Sequence, residues 1–490
     1  MTYSHFERLS ALDGSFLGIE DGVSHMHIGS VAVFEKGPFE TAHGGVDIDR
    51  IRSMMEAELH RVPRYRQRLQ LTPIFGQPVW VDDQHFNLGY HIRHTHLPKP
   101  GDARQLKRLA ARLMSQELDR GKPLWEMWVV EGLEQDQFAI VTKAHHCMID
   151  GVGSVQLTGA MLRPTPEVRE PVDPPPRWIP RPAPSPITLV AAELAHRVTM
   201  PLKALGSAAV AMASPWDAWD GLRDVTASLA ATLGTGFHSA SPTPLNVGIG
   251  PHRRFDWTVT DLEALKSVRS RHGGTVNDVV LSVLAGAMRT FLHRRGLDPN
   301  TLDFRVMVPV NVRDAQSRDT VGNRVAMMVV RLPLDESDPM RRLRATIAET
   351  SRVKRSRQAA GTQMIESLSD ATFPAIMVQF ATLTAMARPY NVVTTNVPGP
   401  PIPVYVAGAR MLACYPLVPL FANQALGVAL FSYAGRLHWG FNADWDAVPD
   451  LHDLVQAVEH EVATLTDAEP MEAEGPSPAV EAAPNGVSVH

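Results

Sequence analysis

Two adjacent histidines, His145 and His146, stand five and four residues ahead of Asp150 in KAHHCMIDGVG, residues 143–153. With an unperturbed pKa of about 6.5, an imidazole takes up and returns protons near neutral pH, which suits a general base. The preceding run FAIVTKAHH alternates as a strand does, and strand side chains point to opposite faces in turn. His146 then shares a face with Phe138, Ile140, Thr142 and Ala144, while His145 looks the other way with Val141 and Lys143. That divergence argues against both rings binding one metal, and the run lacks the paired histidines and glutamate of a helical zinc site. No metal is expected here.

A histidine at a strand end, followed by a turn holding Asp150, Gly151 and Gly153, is well placed as a base at the mouth of a cleft. Asp150 could fix the loop through an arginine, and the glycines would let a ligand approach the backbone. The plain structural alternative is a satisfied histidine pair at a buried turn. No GxSxG elbow occurs, and strand alternation points Cys147 away from His146, so a covalent enzyme intermediate is not suggested. The chemistry left is direct attack, in which a base takes a proton from a hydroxyl or amine that then attacks an activated acyl group.

Several elements must position this motif. MHIGSVAVFE and WEMWVVEGL read as strands and RQLKRLAARLMSQELDRG as a helix, giving a mixed first domain over residues 1–163. Ten prolines in residues 164–186 predict an extended connector, followed by a helical stretch broken by Pro201 that wraps a neighbour or meets lipid; together they form a linker over 164–250. A second domain, 251–466, opens with a helix whose capping box is read at Thr260 and Glu263. A further helix, TVNDVVLSVLAGAMRTFLHRRG, follows, and then FRVMVPVNV, RVAMMVVRLPL, NVVTTNVPGP, ALGVALFSYAG and RLHWGFNAD read as strands. Residues 467–490, with five acids, four prolines and no lysine or arginine, predict a disordered tail. The fold class is α/β (α+β) in two mixed-sheet halves.

At 490 residues the chain exceeds what one core usually serves. A net charge of −5 offers no electrostatic footprint for nucleic acid. Cys147 and Cys414 are the sole cysteines, which excludes a disulfide framework and suits a reducing cytoplasm. Met411–Ala434 and Ala371–Ala387 carry no charge, but the first is punctuated by Pro416, Pro419, Asn423, Gln424 and Gly427, and the second is short for a span. No signal peptide or bilayer crossing is expected, although either stretch could touch lipid.

HHxxxDG is the signature of an acyltransferase superfamily that includes chloramphenicol acetyltransferase and peptide-synthetase condensation domains. With LSALDGSFLGIEDGVSHMHIGSVAVFE, LDRGKPLWEMWVVEGL, TVNDVVLSVLAGAMR, VPVNVRD, NRVAMMVVRLP, TTNVPGP and LHWGFNADWDAVPD, the chain resembles the bacterial wax ester synthase/acyl-CoA:diacylglycerol acyltransferase family in collinear order over roughly residues 6–465. The resemblance implies two chloramphenicol-acetyltransferase-like domains with a tunnel between them. It implies that His146 is the base that deprotonates the acceptor hydroxyl, with His145, Asp150 and Gly151 in supporting positions and Arg313 as the expected partner of Asp150. Asn277 and Asp278 match the family's ND pair; they sit in the first turn of a helix read as capped by Thr275, so Asn277 could steady an oxyanion or both could simply cap. Pro123, Leu124 and Trp125 match its PLW block, as packing or as lining of the acyl tunnel.

The function so implied is transfer of a long-chain acyl group from acyl-CoA, as co-substrate and with no cofactor, to diacylglycerol or a long-chain alcohol. Alternatives are a condensation-type transferase using carrier-protein thioesters and a catalytically idle relative that coats lipid bodies. The intact HHxxxDG weighs against the idle relative. A water-insoluble acceptor implies peripheral contact with the inner membrane or lipid droplets from the cytoplasm.

Overall fold

The computed structural model describes residues 6–148, 161–167, 178–197, 199, 239–311, 325–359 and 389–468. The N-terminal half supplies β1 (Glu7–Arg8), α1 (Ala11–Ile19), β2 (His27–Glu35), α2 (Ile48–Glu58), β3 (Gln67–Leu71), β4 (Pro78–Asp82), α3 (Leu88–His91), β5 (Ile92–His96), α4 (Ala103–Met114), β6 (Trp125–Leu133) and β7 (Gln137–His145). The C-terminal half supplies β8 (Arg253–Asp261), β9 (Phe304–Asn311), β10 (Val325–Leu332), β11 (Val392–Pro398), β12 (Tyr405–Val406), β13 (Ala409–Leu417), β14 (Leu426–Tyr433) and β15 (Arg436–Asp444). Its helices span Leu262–His272, Val276–Arg294, Pro339–Ala359 and Leu451–Asp467.

Two six-stranded mixed sheets result, ordered β12-β13-β2-β7-β6-β5 and β10-β9-β11-β14-β15-β8, with a small sheet β1-β4-β3 beside the first. In β7, Phe138 and Ile140 join a core with Phe39, Ile51 and Trp80, while Ala139 and Val141 join another with Leu106, Leu109 and Leu113 of α4. A strand covered on both faces cannot slip register without exposing one of its apolar rows, so β7 is a rigid base for whatever its end carries. In the second half, the Val276–Arg294 helix is buried from Asp278 to Met288 and forms the centre of its core. Gly286 lets it pass beside the buried Arg342–Glu461 ion pair, where a Cβ would meet Glu461 at 2.2 Å.

One feature escapes any boundary drawn on composition. The β12–β13 segment comes from the second half but completes the first sheet, β13 running antiparallel to β2 with Tyr415 opposite Val31 and Leu417 opposite Gly29. β13 then lies against the second sheet. Tyr415 stacks on Trp257 of β8 at 4.4 Å, and Gly440 of β15 sits so close to the Pro416 carbonyl that a Cβ there would be 1.9 Å from the oxygen. Arg253 adds a clasp, its backbone N–H donating to Ser115 Oγ at 3.0 Å and its guanidinium donating to the Val23 carbonyl.

Two expectations change. The Leu262–His272 helix is capped by Asp261, whose carboxylate accepts the Ala264 N–H at 2.9 Å; Thr260 lies inside β8, because β8 runs one residue past the start read from the sequence. The alternation of β7 stops at His145, so Cys147 does not take the opposite face but joins the core of Phe138 and Ile140. The helical stretch after the prolines covers the small sheet over residues 186–197, Leu189 packing on Val79 and Val81. The uncharged run 411–434 resolves into β13 and β14 with a loop between them; Ala371–Ala387 lies outside the described residues. Among the described residues no single helix is long and apolar enough to cross a membrane.

Candidate active site

His146 opens a single 3-10 turn, His146–Met148, at the end of β7. His145, Cys147 and Met148 are buried, and His146 alone of the four keeps partial exposure. Its backbone N–H donates to the Met26 carbonyl at 2.7 Å, while the His145 N–H donates to Leu124 at 2.9 Å. The turn is therefore held from the residues that lead into β2 and β6.

The wall over this turn is α1. Ser10 caps it by accepting the Asp13 N–H. Phe16 and Glu20 are four apart and so share one helix face. Phe16 stacks on His146 with ring centres 4.0 Å apart, and Glu20, where α1 ends, meets His145, its Oε2 lying 3.3 Å from Nε2. Asp21 then accepts the N–H groups of Val23 and Ser24, turning the chain back into β2. That return places His25 and His27 on the same sheet face as His145, since His27 is the register partner of His145. Glu20 Oε1 lies 3.6 Å from His27 Nε2 and 4.0 Å from His25 Nδ1, and Oε2 accepts from Arg120 at 2.5 Å.

Burial would push the Glu20 carboxyl up, but the His145 and Arg120 contacts outweigh it and hold it down at about 2. Burial pushes His27 well below the ordinary histidine range and lowers His25. It also pushes His146 down to about 4, against a small opposite pull from its own carbonyl, and Nδ1 of His146 has no hydrogen-bond partner among the described residues. The thiol of Cys147 is pushed up by burial and is no nucleophile at neutral pH. Among the described residues no group of three or more His, Cys, Asp or Glu is arranged to hold a metal ion.

The expected residues fall into four places. His145 and His146 stand together at the end of β7 but differ in burial: His145 is sealed beside Glu20, and His146 keeps partial exposure. Pro123, Leu124 and Trp125 are buried behind them, Leu124 holding the His145 backbone and Trp125 stacked on His91 at 4.6 Å with its indole N–H donated to Tyr65. Asp278 is engaged in capping, accepting the Thr275 N–H at 2.7 Å and its hydroxyl at 2.8 Å, whereas the half-buried Asn277 makes no side-chain hydrogen bond among the described residues. No hydrogen bond, ion pair or ring contact joins either to His146. Asp150, Gly151 and Arg313 lie outside the described residues. Sequence reasoning missed Glu20, His25, His27 and Arg120; the alternating SHMHIG pattern was a signal for two of them, but the cross-strand register that brings them to His145 was not readable.

Two mixed sheets sharing a crossed strand, with a histidine pair at a strand end, define a two-lobed acyltransferase fold of the chloramphenicol-acetyltransferase type. The starter condensation domain of rhizomide synthetase shares that fold at 14% identity, with a TM-score of 0.51 over 94% of each chain. Residues 9–280 match the wax ester synthase/diacylglycerol acyltransferase catalytic domain and residues 321–466 match the C-terminal domain of the same family. A probable diacylglycerol O-acyltransferase of Mycobacterium tuberculosis is 34% identical over 470 residues, covering 93% of this chain and 95% of its own. The wax ester synthase/diacylglycerol acyltransferase of Marinobacter aquaeolei superposes with a TM-score of 0.68 at 25% identity, over 94% of this chain and 98% of that one. The chain belongs to the wax ester synthase/diacylglycerol acyltransferase family.

Proposed function

We propose that this protein is an acyl-CoA-dependent O-acyltransferase that moves a long-chain acyl group to the hydroxyl of diacylglycerol, of a long-chain alcohol, or of both, with His146 as general base. The observation that carries the reading is the contrast within residues 145–148. His146 is the reachable side chain, and its lowered pKa keeps the ring neutral and able to accept a proton at pH 7. In the reaction, His146 takes the hydroxyl proton as the oxygen attacks the thioester carbonyl. The tetrahedral adduct collapses with cleavage of the carbon–sulfur bond, and the proton passes from His146 to the departing CoA thiolate. Acyl-CoA enters as co-substrate, and no step calls on a further cofactor. Asn277 is offered as a donor to the oxyanion, supported by its place in the first helical turn with its amide uncommitted.

Both acceptors are insoluble, so the protein would meet them at the inner membrane or a lipid body from the cytoplasmic side. Two exposed apolar residues support such contact: Leu71 and Ile74 on the β3–β4 hairpin are 65% and 88% exposed. Residues 164–250 are offered as the linker between the lobes.

The test is CoA release from palmitoyl-CoA with dioleoylglycerol or hexadecanol, beside His146→Ala. Acceptor-dependent release that falls by about 10²-fold or more in the variant supports the reading. A folded protein with no release on either acceptor overturns it.

A further inference from the structure

We propose that Glu20 is the positioning residue of the histidine pair: its carboxylate fixes the tautomer of His145 and, through it, the turn that carries His146. The inference rests on the acyl-transfer reading of His146 but concerns a residue that no HHxxxDG, PLW or ND position includes. It begins with the Cys147 N–H, which donates to His145 Nδ1 at 3.1 Å. A ring nitrogen that accepts cannot carry the proton, so in the neutral ring the proton is on Nε2. That nitrogen faces Glu20 Oε2 at 3.3 Å.

The chain of contacts thus runs from Glu20 through the His145 ring to the Cys147 amide, inside the His146–Met148 turn. The other carboxylate oxygen faces His27 and His25, which flank Met26, and the Met26 carbonyl holds the His146 N–H. One carboxylate therefore touches both the His25–His27 segment that anchors the turn and the end of β7 that carries it. Its own side chain is 9% exposed, and Arg120 fixes its outer edge. A buried charge is a costly way to fill space, and an apolar residue at position 20 would pack at least as well. A carboxylate here is explained by the ring it orients.

Glu20→Gln keeps the shape and removes the charge. Its amide can present N–H to His145 Nε2, which drives the ring proton to Nδ1 and sets it against the Cys147 N–H. With the turn loosened, kcat is expected to fall by about 10²-fold, the scale of a 1 Å misplacement of a reacting group, while KM for palmitoyl-CoA stays within about twofold. The second readout is the ¹⁵N spectrum of histidine-labelled full-length protein, in which wild type should show His145 protonated at Nε2 and the variant should lose that signature.

A folded Glu20→Gln protein with kcat within about threefold of wild type would sink the proposal. So would a loss of kcat with the tautomer unchanged, which marks a packing role alone. If the variant does not fold, the wild-type spectrum decides: Nε2–H supports the proposal and Nδ1–H overturns it. His146→Ala run alongside keeps the two readings apart, since activity in that variant strikes the base assignment while the spectrum of His145 still judges Glu20.

Discussion

The acid limb of the pH–rate profile follows from where His146 sits. The base must be neutral to accept the hydroxyl proton, and kcat/KM reports its ionisation in the free enzyme. An ordinary histidine with a pKa of about 6.5 would be roughly 9% neutral at pH 5.5, so kcat/KM would drop about tenfold between pH 7.5 and 5.5. Burial pushes His146 down to about 4, where roughly 97% of the rings are still neutral at pH 5.5, so kcat/KM should change by less than about 1.2-fold over the same range. The limb then appears near pH 4. The assay is the initial rate of CoA release at subsaturating acceptor, in short incubations from pH 4.5 to 8. Stability moves in the same window and must be followed separately. His91 and His438, both 1% exposed, are also pushed down to about 4 by burial. Because the unfolded chain binds their protons first, stability is full above pH 6.5 and is lost as pH falls toward 4, by about 1.4 kcal/mol for each ring at pH 5.5. Melting curves at each pH therefore accompany the rates. A tenfold loss of kcat/KM by pH 5.5 in protein shown to be folded would refute the assignment of a half-buried, neutral His146 as the base.

Further perturbations probe the scaffold. Lys143, 1% exposed, donates to the carbonyls of Leu113 and Gln116 and pairs with Glu126; Lys143→Met should cost about 3 kcal/mol and lower the melting temperature, measured by calorimetry. Gly440→Ala forces a Cβ to within 1.9 Å of the Pro416 carbonyl where β15 meets β13, and should destabilise by about 2 kcal/mol or more in denaturant unfolding; an unchanged midpoint would show that the two sheets are not clasped there. Ile74→Asp should reduce flotation with lipid vesicles in a density gradient while sparing CoA release with a water-soluble short-chain alcohol; loss of both would place the hairpin in catalysis instead.

The sequence by itself determined the element types and the chemistry available. Alternation in FAIVTKAHH is a local property of a strand, and it set the two faces of β7 as far as His145, where the strand ends. The cap at Thr275 was legible because a capping box spans four consecutive residues, and the structure closes it with Asp278. The Leu262–His272 cap was misread by one position because the pairing of β8 with β15 carries Thr260 into the strand and leaves Asp261 to cap the helix.

What tertiary structure alone decided is contact between residues far apart in sequence. Nothing in Ile19–Glu20–Asp21 marks a carboxylate as special; it becomes so because α1 ends 3.3 Å from a ring 125 positions later and because β2 pairs with β7 in the one register that sets His27 opposite His145. The passage of β13 into the first sheet is of the same kind. Strand composition says that a segment wants partners, and which edge it joins depends on the shape of two cores that no short stretch encodes.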